Sequence, residues 1–179
     1  SLSSSLVNIE NLDITATGSS KLNLTGNAVA NILTGNSAAN VLNGGAGNDT
    51  LAGGLGSDSL TGGTGIDRFI FDSAIGATNI DTLTDFTHGS DKIVLDDDIF
   101  KALGVTGTTA GAALNANTFY AAAGATAVHL NTDRIVYDTT SGKLYYDVDG
   151  LTSTAAVQIA LIGVTTHATL TASDFLVAA

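Results

Sequence analysis

A period of nine residues governs the first part of this chain. Large apolar residues recur at that spacing without a slip, at Leu24, Leu33, Leu42, Leu51, Leu60 and Phe69. Glycine opens each unit, and an Asn or Asp occupies its sixth place, at Asn31, Asn40, Asp49, Asp58 and Asp67. Repeats this short bury their apolar residues only by stacking on one another, so the period predicts a solenoid.

Three consecutive units match the nonapeptide pattern G-G-x-G-x-D-x-U-x, in which U is a large apolar residue. They are GGAGNDTLA, GGLGSDSLT and GGTGIDRFI. Glycines permit a tight turn that exposes backbone carbonyls, and the Asp adds an anionic oxygen. The last three residues form a strand with its one large side chain pointing inward. The units therefore predict oxygen-rich turns around a narrow aliphatic core.

The spacing of the acids predicts a cation between the turns. Two nonapeptides complete one coil of 18 residues, so residues 18 apart are expected to lie one strand spacing apart, roughly 4.8 Å. Asp49 then stacks near Asp67. Because two carboxylates this close repel each other unless a cation separates them, folding and Ca²⁺ binding are expected to be coupled.

The composition agrees with loops that bind a hard cation and excludes several other classes. Of 17 acidic residues only Glu10 is not Asp, and the net charge of −11 argues against nucleic acid or an anionic membrane as a partner. The chain has no Cys, so disulfides and Cys-based metal or nucleophile sites are ruled out. No apolar stretch approaches the ~20 residues of a membrane-spanning helix, and the start of the chain lacks a signal-peptide pattern. The absence of an initiating Met suggests a fragment.

The repeats over residues 26–70 resemble those of the RTX (repeats-in-toxin, hemolysin-type) family. Its calcium-binding β-rolls occur in type I secreted bacterial proteases, lipases, toxins, adhesins and surface-layer proteins. The resemblance implies a mainly all-β fold, a parallel β-roll followed by a C-terminal β-rich cap with one or two short helices. We expect the roll at 1–70, with Asn-type or degenerate coils over 1–43 and calcium-binding repeats over 44–70. The cap and a secretion signal are expected over 71–179.

The resemblance also implies the calcium ligands. In that family one turn supplies the carbonyls of its second and fourth residues and its Asp, and the turn one coil later supplies its first and third carbonyls and its Asp. Carried over to this chain, the first site combines Gly45, Gly47 and Asp49 with Gly62, Thr64 and Asp67. The second combines Asn36, Ala38 and Asn40 with Gly53, Leu55 and Asp58, and its affinity should be lower because Asn40 replaces an acid. The third combines Gly54, Gly56 and Asp58 with Asp72 or Asp81, because Gly76 occupies the position one coil after Asp58.

The units before the acidic repeats keep the period and lose the acids. In LTGNAVANI and LTGNSAANV, side-chain amides can satisfy the turn carbonyls and stack without charge. These coils are expected to need no metal. The earlier segment from Ile9 to Leu24 shows a blurred form of the same register and predicts a capping coil.

The segment after the repeats, NIDTLTDFTHGSDKIVLDDDIF, resembles the one that closes the open end of the roll in this family. Its apolar residues are expected to form strands that seal the core. Asp96, Asp97 and Asp98 suggest a helix N-terminus rather than a metal cluster. Further expectations are a loop with a short helix over 110–124, a hairpin around Thr139–Gly142, a turn at D-V-D-G, and a strand at VQIALIGV.

The last residues resemble the C-terminal secretion signal of type I substrates, which often close with an acid and several hydrophobic residues. Here these are Asp174, Phe175, Leu176 and Val177. An ordinary edge strand would show the same pattern.

We find no catalytic constellation, since the three histidines are far apart and in no metalloprotease or triad context. The leading hypothesis is therefore a non-enzymatic module of a secreted bacterial protein that binds Ca²⁺ and folds outside the cell. A type I transporter is its expected transient partner. A terminal domain of an adhesin or surface-layer protein, with surface or self-association, is the alternative. An ice-binding solenoid ranks last because the ninth positions do not form a regular Thr array.

Overall fold

Two β-sheets share one continuous apolar core. The computed structural model describes residues 10–104, 111–151 and 154–179. Residues 1–9, with Ile9 of the predicted capping coil, and Ala110 of the predicted loop lie outside the described residues. The fold class is confirmed: the described residues are organised as strands, and the repeat region forms parallel sheets.

The nonapeptides alternate between the two sheets. One sheet receives β1 (Asn11–Asp13), β3 (Ile32–Thr34), β5 (Thr50–Ala52) and β7 (Arg68–Phe71), while the other receives β2 (Asn23–Thr25), β4 (Val41–Ala46) and β6 (Ser59–Thr64). All neighbouring pairs are parallel. Leu33 aligns with Leu51 and Leu51 with Phe69, so one coil of the roll is 18 residues, as the period predicts.

The residues of the nine-residue apolar period form the core of the roll. Leu33, Leu42, Leu51, Leu60 and Phe69 are fully buried, and Leu24 nearly so. Each strand contributes one such side chain inward because successive residues of a strand point to opposite faces. Burying a leucine side chain is worth about 1.5–3 kcal/mol, so these two columns of side chains, one on each sheet, supply much of the stability of the coils.

The two sheets continue beyond the repeats without a break. Strand β8 (Asp81–Leu83) pairs in parallel with β6, and β9 (Lys92–Asp96) pairs in parallel with β7. The remaining strands are β10 (Ala112–Ala113), β11 (Phe119–Ala122), β12 (Ile135–Asp138), β13 (Lys143–Tyr146), β14 (Val157–Ile162) and β15 (Phe175–Ala178). The sheet orders are β1-β3-β5-β7-β9-β15-β10 and β11-β12-β13-β14-β8-β6-β4-β2.

The short helices are single 3-10 turns. In the described part of the chain they lie at Thr15–Thr17, Lys101–Leu103, Ala116–Thr118 and Ala172–Asp174. The Ala-rich segment expected to contain a short helix holds one such turn and then β11, because Phe119 packs against Phe175 with ring centroids 5.4 Å apart and β11 pairs with β12. Tertiary contacts here outweigh the helix propensity of alanine.

The predicted hairpin is confirmed, since β12 and β13 pair antiparallel with Ile135 opposite Tyr146. The final strand, β15, is not at an edge. It lies between β9, to which it is parallel, and β10, to which it is antiparallel. The inward side chains of Phe175 and Val177 are fully buried. Among the described residues, no helix has the length and apolar character needed to cross a membrane.

Candidate metal centre

The acidic turns stack in register along two edges of the roll. Turn 44–49 lies one coil before turn 62–67, with Gly45 aligned to Gly63. Gly45 and Gly63 have φ values of 105° and 100°, a region that L residues with a side chain avoid. A Cβ atom on Gly63 would also collide with the carbonyl oxygen of Gly45. Glycine is therefore required for both the turn and the close stacking of carbonyls between coils.

Three buried aspartates, Asp49, Asp58 and Asp67, are bound to the preceding coil through one oxygen only. We call them the ladder aspartates. Oδ1 of Asp49 accepts the N–H of Asn31 at 2.7 Å, and Oδ1 of Asp67 accepts the N–H of Asp49 at 2.8 Å. Oδ1 of Asp58 accepts the N–H of Asn40 at 2.7 Å. The Oδ2 atom of each is buried with no hydrogen-bond partner among the described residues.

The electrostatics of these groups favour a bound cation. Burial, reinforced by the nearby carboxylate of Asp67, raises the pKa of Asp49 to about 6 despite the hydrogen bond from Asn31. Burial likewise raises the pKa of Asp58 to about 6. A carboxylate whose pKa is raised by burial and by a nearby like charge is stabilised when a bound cation replaces its lost hydration. A hard divalent cation fits this donor set of carboxylates and backbone carbonyls.

The six residues predicted for the first site lie on two adjacent turns whose carbonyls face each other across the coils. The carbonyls of Gly45 and Gly47 point at Gly63 and Gly65 of the next coil, and the Gly62 carbonyl lies beside Gly44, where Oδ2 of Asp49 also lies. The Thr64 carbonyl accepts the N–H of Gly47 at 2.9 Å, which leaves its second lone pair. The structure thus brings together the oxygens of adjacent coils on which the first predicted site depends.

The second predicted site has one unpartnered carboxylate oxygen rather than two. Oδ1 of Asn40 accepts the N–H of Asn36 at 3.0 Å, and its Nδ2 donates to the Leu22 carbonyl at 2.7 Å. Asp58 supplies the free oxygen. The carbonyls of Asn36 and Ala38 lie against Gly54 and Gly56 of the next coil, and the Gly53 carbonyl lies against Gly35. The side chain of Leu55 is 45% exposed and belongs to the outside of the turn.

At the third predicted site the structure distinguishes between the two candidate acids. Oδ1 of Asp81 accepts the N–H of Asp58 at 3.0 Å, the same bond that links each ladder aspartate to the coil before it. Burial, together with the carboxylate of Asp58, raises the pKa of Asp81 to about 8. Asp72 is exposed and makes no hydrogen bond of this series, and its charge also contributes to the raised pKa of Asp81. The Gly54 carbonyl accepts a hydrogen bond from Ser73 at 2.6 Å, and Gly56 lies against Ala38 of the preceding coil.

Two further acids extend the series and were not singled out from the sequence. Asp85 accepts hydrogen bonds from the amides of Gly62 and Gly63, and Asp91 accepts one from the amide of Asp67. The acids in DTLTDFTHGSDK could have indicated these residues, but insertions between coils shift them away from the expected 18-residue spacing. Ser59 aligns with Thr82, and Arg68 with Lys92, so the 18-residue offset no longer applies.

Several other acidic groups and the three histidines contact protein groups outside the repeat turns. The carboxylates of Asp96, Asp97 and Asp98 lie within 4.8 Å of one another, and Asp96 accepts the N–H groups of Asp98 and Ile99 in a turn. In D-V-D-G, Asp147 accepts the amides of Asp149 and Gly150, which is a turn. The histidine contacts are His88 with Asp174, His129 stacked on Tyr120, and His167 with the Ile162 carbonyl.

The residues of the predicted secretion signal form the end of the cap. Asp174 is fully buried and closes a capping box with Thr171, and it also accepts the N–H of Gly89 at 3.1 Å and contacts Nδ1 of His88 at 2.8 Å. Phe175, Leu176 and Val177 belong to β15. Leu176 points outward and is half-buried, opposite in orientation to its two neighbours.

Comparison with known proteins bears on the repeats. A family described as RTX calcium-binding nonapeptide repeat (4 copies) matches residues 25–60 and 34–69. No match was found among curated proteins. One solved structure to which the chain is similar is the solution structure of the AlgE6R3 subunit of the Azotobacter vinelandii mannuronan C5-epimerase. That chain is 24% identical, with 79% of this chain and 68% of that chain covered and a TM-score of 0.41. Over residues 25–69 this chain therefore carries the repeats of the RTX family, which imply calcium binding.

Proposed function

We propose that this chain is a non-catalytic module that folds when Ca²⁺ binds between the acidic turns of its β-roll. The observation that supports it is the set of three buried Oδ2 atoms, on Asp49, Asp58 and Asp67, that have no partner among the described residues. A buried charged oxygen without a partner costs several kcal/mol. A bound cation would remove that cost.

The residues that would bind the ion are those of the three predicted sites, with Asp81 rather than Asp72 in the third. When bound, Ca²⁺ supplies positive charge between coils that otherwise repel each other. This chain's own contribution is to place the carboxylates and carbonyls in register through parallel pairing of β4 with β6 and of β5 with β7. Such turns suit Ca²⁺ better than Mg²⁺, whose small octahedral shell demands near-ideal geometry.

Circular dichroism of the full chain tests this function. In chelator the β signal of the acidic coils should be weak, and millimolar Ca²⁺ should restore it, whereas equal Mg²⁺ should not. We expect the Asn coils and the cap to contribute a partial baseline of β signal in chelator. A spectrum unchanged between chelator and Ca²⁺, with the chain already folded, would contradict the proposal.

We further propose that the module belongs to a larger secreted bacterial protein and that Asp174, Phe175, Leu176 and Val177 direct its export through a type I transporter. The resemblance of this ending to type I signals supports the assignment, as does a roll whose folding requires calcium at the level found outside cells. Deleting residues 170–179 from a fusion should abolish its appearance in the medium of a cell with a type I system.

A matched pair of substitutions separates the signal from the strand. Val177 points into the core and Leu176 points outward, so Val177→Asp should unfold the cap and Leu176→Asp should not. If the segment is a signal that the transporter recognises in the unfolded chain, both substitutions should reduce secretion to a similar extent. If secretion instead follows the folding stability of the two variants, the segment acts only as a strand.

A further inference from the structure

The last acidic turn of the roll, residues 62–67, is bound from outside by two carboxylates whose oxygens are all engaged. Oδ1 of Asp85 accepts the N–H of Gly62 at 2.9 Å, and its Oδ2 accepts the N–H of Gly63 at 2.8 Å. Oδ1 of Asp91 accepts the N–H of Asp67 at 3.0 Å, and its Oδ2 accepts the N–H of Thr87 at 2.8 Å. In this respect both differ from the ladder aspartates, each of which keeps one oxygen with no partner in the described part of the chain.

Asp85 takes the place of a backbone carbonyl. In earlier coils the N–H of the first glycine donates to the carbonyl of the next coil: Gly26 to Asn43, and Gly35 to Ala52, both at 2.8 Å. Strands β6 and β8 pair only through Ser59 with Thr82 and Leu60 with Leu83. The chain then leaves the nonapeptide path, and the Asp85 carboxylate becomes the acceptor for Gly62.

We propose that Asp85 and Asp91 are positioning residues for the calcium site formed by Asp49 and Asp67, and not ligands of the ion. This inference rests on the proposed function. Gly62 and Asp67 are predicted ligands, and the two carboxylates fix the amides of those residues and of Gly63. Groups that hydrogen-bond to ligating residues orient them, and their loss typically costs about 10–100-fold in metal affinity.

Calcium titration of the full chain, reporting both affinity and the number of ions bound, tests the assignment. Asp85→Ala should weaken binding at the Asp49–Asp67 site about tenfold and leave the number of ions unchanged. Glu10→Ala removes the same unit charge from an exposed residue of the first coil and is the matched control. One ion fewer with Asp85→Ala would make Asp85 a ligand and overturn the proposal, and so would a change no larger than that of the control.

Amide hydrogen exchange in the calcium-loaded protein provides a readout that simple loss of stability would not reproduce. Asp85→Asn keeps one acceptor oxygen and the shape of the side chain, so it should fold where the alanine variant fails. In wild type the N–H groups of Gly62 and Gly63 each donate to a different oxygen of Asp85, and a single oxygen cannot accept both. Protection should therefore fall at Gly62, Gly63 or both, while Gly26 and Gly35 stay protected. Unchanged protection at both amides would overturn the proposal. If the wild-type chain binds no calcium, the proposed function itself fails, which is a separate result.

Discussion

The Asn turns and the Asp turns of the roll share one backbone period and close in different ways. In an Asn turn the side-chain oxygen accepts an amide of the same turn, as Asn31 does from Asn27 at 2.8 Å and Asn40 from Asn36 at 3.0 Å. In an Asp turn the carboxylate binds the preceding coil, and its Oδ2 has no partner among the residues that the structure describes. Among the described residues of the Asn coils, only a neutral group is left unsatisfied, the Nδ2 of Asn31, which costs far less than a charge.

Under the proposed function, this contrast means that one side-chain atom decides whether a coil depends on metal. Asn and Asp have nearly the same shape, so both fit the sixth place of the repeat. The amide completes its own turn, whereas the carboxylate adds a buried charge that a bound cation or a proton must neutralise. We therefore expect the number of Asp turns to set how strongly folding responds to calcium.

The largest expected effect comes from removing a ladder aspartate. Asp67→Ala deletes a carboxylate from the site that it shares with Asp49, whereas Asn40→Ala deletes a neutral oxygen already engaged by Asn36. Calcium affinity should fall on the order of 100-fold for the first variant, because carboxylate count sets affinity, and much less for the second. Isothermal titration measures both. Equal losses would show that the pairing of turns one coil apart is wrong.

Converting an Asn turn into an Asp turn should transfer the dependence on metal. Asn40→Asp adds a second carboxylate to the site with Asp58, so calcium affinity there should rise while stability in chelator falls by about 1–3 kcal/mol. Thermal unfolding with and without Ca²⁺ should show a wider gap between the two melting temperatures than in the wild type. An unchanged gap would indicate that the Asn and Asp turns do not differ in the way described above.

Acid should partly replace calcium in the metal-free protein. Burial raises the pKa of Asp49 and Asp58 to about 6 from an ordinary value of 3.8. A raised pKa stabilises the fold at pH values below the unfolded value, and this contribution is lost as pH rises through about 6. Protein freed of calcium on a chelating resin should therefore melt at a higher temperature at pH 5.5 than at pH 7.5. With saturating Ca²⁺ the order should reverse, because protons compete with the ion.

The smallest change in calcium affinity is expected from a substitution outside the roll, at Asp174. Burial tends to raise the pKa of Asp174, but the amides of Thr171 and Gly89 and the side chain of His88 lower it below its usual value. Its stabilising contribution is present above the unfolded pKa and is lost as pH falls through the depressed value, opposite to Asp49. Asp174→Ala should cost about 1–3 kcal/mol of stability in denaturant unfolding. Calcium affinity should stay within about twofold of wild type, since no ladder aspartate is touched.

The strict nine-residue period made the roll predictable from the sequence. Because the period ends after the repeats, the rest of the fold and of the site could be predicted only in part. Six apolar residues at one spacing determined the coil length and the inward face of each strand. Asp85 and Asp91 escaped notice because insertions after β7 shift the offsets between coils, and hydrogen bonds across those offsets leave no trace in a periodic pattern. The strand β11 was hidden for another reason: its alanines have no intrinsic strand preference, and pairing with β12 and packing of Phe119 on Phe175 fix them.

The position of β15 has a consequence for the order of folding. Phe175 pairs with Ile93, so the sheet that contains β9 receives an interior strand from a distant segment of the chain. In the sequence this segment follows β10 to β14. Contacts between such distant segments form slowly, because loop closure must precede the gain from pairing. Until β15 inserts, the outer edge of β9 stays open, and an open strand edge is a site of mispairing. We expect insertion of β15 to be the slow step that commits the cap to its final structure.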